Sequence, residues 1–516
     1  MGGVISLDSQ TKEFLDIMDR MKQQDYYDMD SIIGAASKLR SLSSVSNLQL
    51  QKYFLVEPTN VIVLMIKSIE TMYQRKEPNI IHGCLHLLAR FLPIIAVSVK
   101  SDKDIDWLLY GQDSLIEKLF FILKCIMFTP SLLNPINSGP SSEWIWVSMS
   151  PEILNARIDF LSLFVFSQIP DFLFHDPSNS KEQFLSLISM DSQTTKRFVA
   201  SIINGLKFVF SNNDSSKYSS TALQFISFAM LNDETYFVSL CKSDILSIVI
   251  EELYRPIDQL NSILGNQKAH EEFAIEFVVI IFSIMLKEPE AKCKIPDLSL
   301  CIIRILQLSN ETGALSYYHR LCLTVLMMMT SSKKNCSKLS HELSETLGTK
   351  FVFHTQSKAL TIMEVAVNSL HLSKISMYRN LIMGIIHNIA PYVRDCEFAP
   401  FCFISSFDYL SSILHENGAS QLFLVLLSSL KRFLGFEKSD ELREKVKKMM
   451  NPIIHKYPQD LQDQIINVVS NKDQFDDYPM VIEKLEDSIH FAQKVLLQIF
   501  SKRNQVSLEM LRKYAE

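Results

Sequence analysis

Met1-Gly2-Gly3-Val4-Ile5-Ser6 fits the M-G-x-x-x-[ST] pattern read by N-myristoyltransferase. The chemistry is acylation of the Gly2 amine once Met1 is removed. Gly3 beside it and Ser6 at the hydroxyl position suit a transferase that needs an unhindered, extended N-terminus. Gly2 is therefore the residue marked for lipidation. One myristoyl chain holds a protein to a bilayer only marginally, with a partition constant on the order of 10⁴ M⁻¹, so stable anchoring needs a second signal. Palmitoylation beside the N-terminus is excluded because the first cysteine is Cys84, and no polybasic stretch follows Ser6. The second signal falls to a folded surface or a protein partner. One candidate is the run 438–448, with Lys438, Arg443, Lys445, Lys447 and Lys448 balanced by Glu437, Asp440, Glu441 and Glu444. As a solvated helix face it needs no function, whereas as an anionic-lipid patch it would supply the missing contact.

Other chemistry is thin. In His82-Gly83-Cys84-Leu85-His86 two histidines four apart share one face of a helix, but Gly83 stands where a metalloprotease carries its glutamate base and no third ligand can be named. Asp104-Ile105-Asp106 and Asp476-Asp477 are paired carboxylates in polar surroundings, better explained as helix starts or solvated turns than as an acid/base dyad. Neither G-x-G-x-x-G nor G-x-x-x-x-G-K-[ST] occurs, nor G-x-S-x-G, nor C-x-x-C. The expectation is a chain that is not an enzyme, with no catalytic residue, no cofactor, no metal and no small-molecule substrate. Glu143-Trp144-Ile145-Trp146 holds two tryptophans after a Pro/Ser loop, as a buried anchor or as a partner-binding patch.

The elements that must carry these residues are helical. Hydrophobic residues make up 47% and charged residues 21% of 516, with 33 Phe and 21 Met against 13 Gly and 17 Pro, which suits long helices with short joints. Phe14, Ile17, Met18 and Met21 fall at i, i+3, i+4 and i+7, and the pattern recurs along the chain. It predicts helices at 11–23, 57–74, 78–98, 113–127, 151–168, 194–211, 217–230, 242–254, 267–287, 297–308, 315–330, 357–371, 375–391, 399–415, 418–434, 439–456 and 478–502. Leu360–Leu370 with Tyr378–Ile389 resembles Phe403–Leu414 with Gln421–Phe433 at an offset of about 42 residues, within the HEAT or armadillo range. The predicted fold is all-α, an α-solenoid of degenerate HEAT/armadillo-like helical pairs. A compact irregular helical bundle is the alternative. The predicted organisation is a flexible N-terminus over 1–10 with the myristoylation signal, then a continuous helical-repeat body over 11–516. Loops are expected near 129–142, 331–349 and 471–479, from their Pro, Gly, Ser, Asn and Asp content.

A net charge of −6, with acidic and basic residues interspersed, gives no broad basic face, so nucleic-acid binding is not expected. Nine scattered cysteines, mostly in apolar stretches such as 120–126, read as reduced core residues of a cytosolic protein. No secretory signal opens the chain. The longest apolar run, around Phe277–Leu286, is too short for the roughly 20 residues a spanning helix needs.

Several segments, in order, resemble the high-temperature-induced dauer formation protein family, the relatives of dymeclin. They are Leu88–Ile95, Glu143–Trp146, Arg157–Leu161, Lys242–Val249 and Asn388–Val393, spread over roughly residues 80–415. Members likewise begin with Met-Gly in a myristoylation context. The resemblance implies a peripheral protein of the cytoplasm and the cytosolic face of Golgi membranes, held by an N-myristoyl group, working with trafficking proteins in secretory cargo sorting, vesicle trafficking and Golgi organisation. It implies no catalytic residues, and Gly2 alone carries over. This chain is shorter and lacks the family's long polar insertions and much of its C-terminal region, which puts in doubt any interaction made there. The competing expectation is a soluble cytosolic helical-repeat scaffold that binds proteins without a lipid anchor.

Overall fold

The computed structural model describes residues 216–232, 267–287, 317–341, 357–372, 376–393, 395–435, 440–471, 478–482 and 485–504. It adds positions 67–69, 71, 158, 161, 199, 202, 203, 206, 299, 302, 303 and 306. Among the described residues 87% are helical and no strand occurs, so this part of the chain is all-α. The chain divides into two compact units, Met1–Ile245 with Gln493–Glu516, and Leu246–Ala492.

In the first unit, helix α1 (Ser216–Asn232) is buried over most of its surface: Tyr218, Ala222, Leu223, Phe225, Ile226, Phe228 and Ala229 are all inaccessible, while Ser220 and Thr221 are half-buried. A helix that buries its apolar residues this fully sits against a core on most of its circumference. Its Ser227 is tolerated there because the hydroxyl donates back to the Leu223 carbonyl at 2.8 Å. Val199, Ile202, Ile203 and Leu206, at i, i+3, i+4 and i+7, form a second buried stripe.

The second unit contains α2 (Gln267–Lys287), α3 (Tyr317–Thr330), α4 (Lys333–His341), α5 (Lys358–Leu372), α6 (Ser376–Ile389), α7 (Ala399–Ser412), α8 (Ala419–Leu434), α9 (Asp440–Ile454) and α10 (Gln459–Ser470), while α11 (Leu485–Asn504) begins in it and ends in the first. A short 3-10 turn, Ala390–Tyr392, ends α6 where Pro391 could no longer donate to the helix. Helices α5, α7 and α9 touch in succession, as do α6, α8 and α10. Neighbours pair as α5 with α6, α7 with α8 and α9 with α10, while α3 lies between α2 and α6.

Aromatic rings fill the seam between α7 and α8. Phe403 stacks tilted against Phe433 at 4.8 Å, and Phe407, Phe423 and Tyr457 form a triangle with centroids 5.6–6.3 Å apart. Tyr457 is buried and its hydroxyl donates to the Phe407 carbonyl, which joins the turn after α9 to α7. Gly418 opens α8 at φ +86°, and the space around it is empty, so the backbone angle alone calls for glycine. Gly435 closes the helix at φ +61°.

Three expectations need correction. Residues 333–341 of the expected 331–349 loop form α4. Ser332 Oγ accepts the Asn335 N–H at 3.4 Å at its start, and Asn335, Cys336 and Leu339 turn inward from an otherwise polar segment. Helix α10 occupies a stretch with no predicted helix, starting directly after Pro458 and burying Ile465, Val468 and Val469. The expected helix 478–502 begins only at Leu485, and residues 478–482 are non-helical. Pro479 disfavours helical backbone at Tyr478, and the Met480 N–H and C=O are bonded to Asn388 in place of helical partners.

Candidate functional site

The non-helical segment is held by side chains from two helices. Asn388, in the last turn of α6, donates from Nδ2 to the Met480 carbonyl at 2.9 Å, and its Oδ1 accepts the Met480 N–H at 2.7 Å. One carboxamide thus satisfies both backbone groups of one residue, the bonding a neighbouring strand would give. Two residues earlier the Tyr478 carbonyl faces Arg432 Nη1 at 3.0 Å and His387 Nε2 at 3.3 Å. A carbonyl only accepts, so Nε2 carries the proton and Nδ1 faces Ser429 Oγ at 3.3 Å. His387, Asn388 and Arg432 are 6%, 1% and 1% exposed, so this is a built site and not a surface contact. In contrast, Tyr478 is 77% and Val481 63% exposed. These bonds are to backbone atoms of Tyr478 and Met480 and none is to their side chains.

The floor of the site depends on a glycine. A Cβ on Gly384 would come within 2.6 Å of Met327 Cε and 2.8 Å of its Sδ, so the missing side chain is what lets Met327 of α3 lie across α6. The sulfur then sits 3.7 Å from Asn388 Nδ2.

Ser429 and His387 have the residue types of a nucleophile and its base, but Ser429 is inaccessible and its hydroxyl lies 2.6 Å from the Val425 carbonyl. The distal imidazole nitrogen is engaged with backbone. The pair orients His387 and presents nothing to a substrate.

Two other polar clusters are structural. Arg443, 8% exposed, donates to the carbonyls of Gly435 at 2.7 Å, Asn471 at 2.9 Å, and Val468 and Val469 at 3.4 Å. It caps the end of α10 and ties it to the end of α8, where the carbonyl ends of helices attract a cation. The buried Arg379 of α6 pairs with the half-buried Glu416, which pulls that carboxyl below its usual range, and lies 5.8 Å from the Tyr409 ring. His371 Nε2 meets Ser405 Oγ at 2.8 Å beside the same tyrosine.

No protein-family model matches the chain, and no curated protein matches it.

Gly2, His82, His86, Asp104, Asp106, Trp144, Trp146, Lys438, Asp476 and Asp477 lie outside the described residues, as does the 129–142 loop. The run 440–448 is described, and it is not uniformly a surface. Lys445, Lys447 and Lys448 are exposed with Asp440, Glu441 and Glu444 among them, while Arg443 is turned inward. Lys447 Nζ is 3.9 Å from Glu444 Oε1. Among the described residues no group of three or more His, Cys, Asp or Glu side chains could hold a metal ion, and no helix is long and apolar enough to cross a membrane. Cys322, Cys336 and Cys402 are free and buried. Burial pushes the thiols of Cys336 and Cys402 up to about 12, with the Arg432 charge pulling Cys336 back.

Residue patterns alone did not single out His387, Asn388, Ser429 or Arg432. The available signal was polar side chains on the apolar faces of two helices, with Pro479 interrupting a third.

Proposed function

We propose that the chain is a non-enzymatic adaptor or scaffold, lipid-anchored at Gly2 on the cytosolic face of Golgi membranes, that takes part in secretory cargo sorting and vesicle trafficking. The observation that carries the adaptor part is the order of helix contacts in the second unit. Helices α5, α7 and α9 begin at Lys358, Ala399 and Asp440, each start 41 residues after the last, and successive pairs stack in two layers. This arrangement supports an α-solenoid of HEAT-like pairs, whose extended faces suit protein binding. The buried polar groups around residue 480 support the same reading, since they are arranged to hold a polypeptide backbone. The Met1–Ser6 pattern and the ordered segments resembling the dauer formation protein family support the anchor and the Golgi address.

The test is localisation of the full chain with a C-terminal fluorescent tag, wild type beside Gly2→Ala. We expect wild type on perinuclear Golgi membranes and in cytosol, and the variant in cytosol alone. Identical, wholly cytosolic distributions refute the anchor.

The soluble-scaffold reading gains from one observation. Arg443 is committed to carbonyl groups, and each remaining lysine of α9 has a carboxylate three or four residues before it, so this helix is a poor second membrane signal. Intact mass decides between the two, through the presence or absence of one acyl group.

A further inference from the structure

We propose that the clasp formed by His387, Asn388 and Arg432 is a binding groove for an extended peptide of a partner protein, and that residues 478–482 occupy it as a displaceable internal stand-in. The proposal rests on the adaptor reading and adds the ligand class. The bonds from the clasp run to the N–H and C=O of Met480 and to the C=O of Tyr478, so any extended backbone could make them. The intervening residue is Pro479, which needs no partner for an N–H it lacks. What selects the ligand is therefore an X-Pro-Φ triplet, with Φ a large apolar residue in the half-buried place of Met480, and X and the residue after Φ facing solvent as Tyr478 and Val481 do. Three nearly inaccessible polar side chains also make an empty groove costly, because their hydrogen-bonding groups would lose partners without full access to water. Exchange of one occupant for another avoids that penalty.

An internal occupant competes at an effective concentration on the order of millimolar, so the unaltered protein binds a peptide in trans weakly. Met480→Pro removes the N–H that Asn388 Oδ1 accepts and so weakens the stand-in specifically. The experiment measures fluorescence anisotropy of a labelled peptide with the sequence of residues 476–482, titrated with the full-length chain. We expect Met480→Pro to bind at least ten-fold more tightly than wild type, and Asn388→Ala combined with Met480→Pro to lose binding. A peptide carrying proline in place of its methionine should not bind. Met480→Gly, which keeps the N–H but loses the half-buried side chain, serves as a second weakened stand-in. If either variant keeps a cooperative helical melt yet binds no more tightly than wild type, the groove is not a peptide site. If both lose that melt, the segment is an integral part of the fold and the proposal fails. If wild type dimerises with rising concentration and the peptide reverses it, the groove serves exchange between copies, which also overturns a partner peptide. Because the assay uses no membrane, its failure is separable from failure of the anchor.

Discussion

Arg443 provides the sharpest check on how α9 is used. The substitution is Arg443→Met, which keeps much of the aliphatic stem and removes the guanidinium. Two of its bonds, 2.7 Å to the Gly435 carbonyl and 2.9 Å to the Asn471 carbonyl, have normal geometry, whereas the two at 3.4 Å to Val468 and Val469 are long and contribute little. Bonds to a charged group are each worth about 1.5–3 kcal/mol net, giving roughly 3–6 kcal/mol for the two good ones. Removing the guanidinium also removes its own burial cost, which offsets part of that loss. We expect a net destabilisation of about 2–4 kcal/mol, because carbonyl groups at the ends of α8 and α10 are left without their donor. At about 2–4 °C per kcal/mol for a body of this size, the melting temperature should fall by on the order of 10 °C. The assay is thermal and urea unfolding followed by circular dichroism, paired with flotation on vesicles containing anionic lipid. Arg443→Lys should recover less than half, since a single ammonium group does not span both helix ends. A change below about 0.5 kcal/mol would refute the capping role. So would an unchanged melt with reduced vesicle binding, which would return Arg443 to the surface.

Three further outcomes follow from packing and ionisation. Gly384→Ala gains about 1 kcal/mol of helix propensity but forces Met327 aside, so a net loss of about 1 kcal/mol is expected, and Gly384→Val should lose roughly 3, measured by urea unfolding. Burial lowers the His319 pKa from 6.5 to about 4, so the unfolded chain takes up this proton first. The associated stability is fully present above pH 6.5 and drains away as pH falls towards 4, by at most about 3 kcal/mol, and His319→Gln should flatten that part of the profile. Among the four described cysteines, Cys396 is half-buried while Cys322, Cys336 and Cys402 are buried, so N-ethylmaleimide under native conditions should modify Cys396 first, as peptide mass mapping would reveal.

Helix positions in the second unit were legible because their apolar residues recur at a period near 3.6. The starts predicted at 315, 357, 375, 399, 418 and 439 lie within two residues of Tyr317, Lys358, Ser376, Ala399, Ala419 and Asp440. The omissions share a cause. Helix α4 buries Asn335, Cys336 and Leu339 within a segment of Lys, Ser and His, and α10 buries Ile465, Val468 and Val469 among Gln, Asp and Asn. Each is short, and its inward stripe is too narrow to stand out from polar surroundings. Tertiary packing against α5 in one case and against α8 and α9 in the other supplies the stability that local pattern does not advertise.

The site was hidden for a different reason. His387 and Asn388 sit in Leu381–Ile389, where periodicity registers two polar residues as blemishes on an apolar face, and Arg432 looks like an ordinary cation in the last turn of α8. Their role depends on a partner more than 40 residues away from any of them, and the partner groups are backbone atoms, which carry no sequence signature. Pro479 was the one local clue. It marks a place where the chain cannot satisfy itself as helix, and buried donors on α6 and α8 mark a place where something else must be satisfied. Neither observation is informative alone. Together they suit an extended chain beside those two helices, and the residue-specific demands they make are a proline flanked by carbonyls in reach of Asn388 and Arg432 and a large apolar residue directly after it. A site built in this way can change occupants without changing its own side chains, which is why competition by a free peptide is the measurement that bears on it most directly.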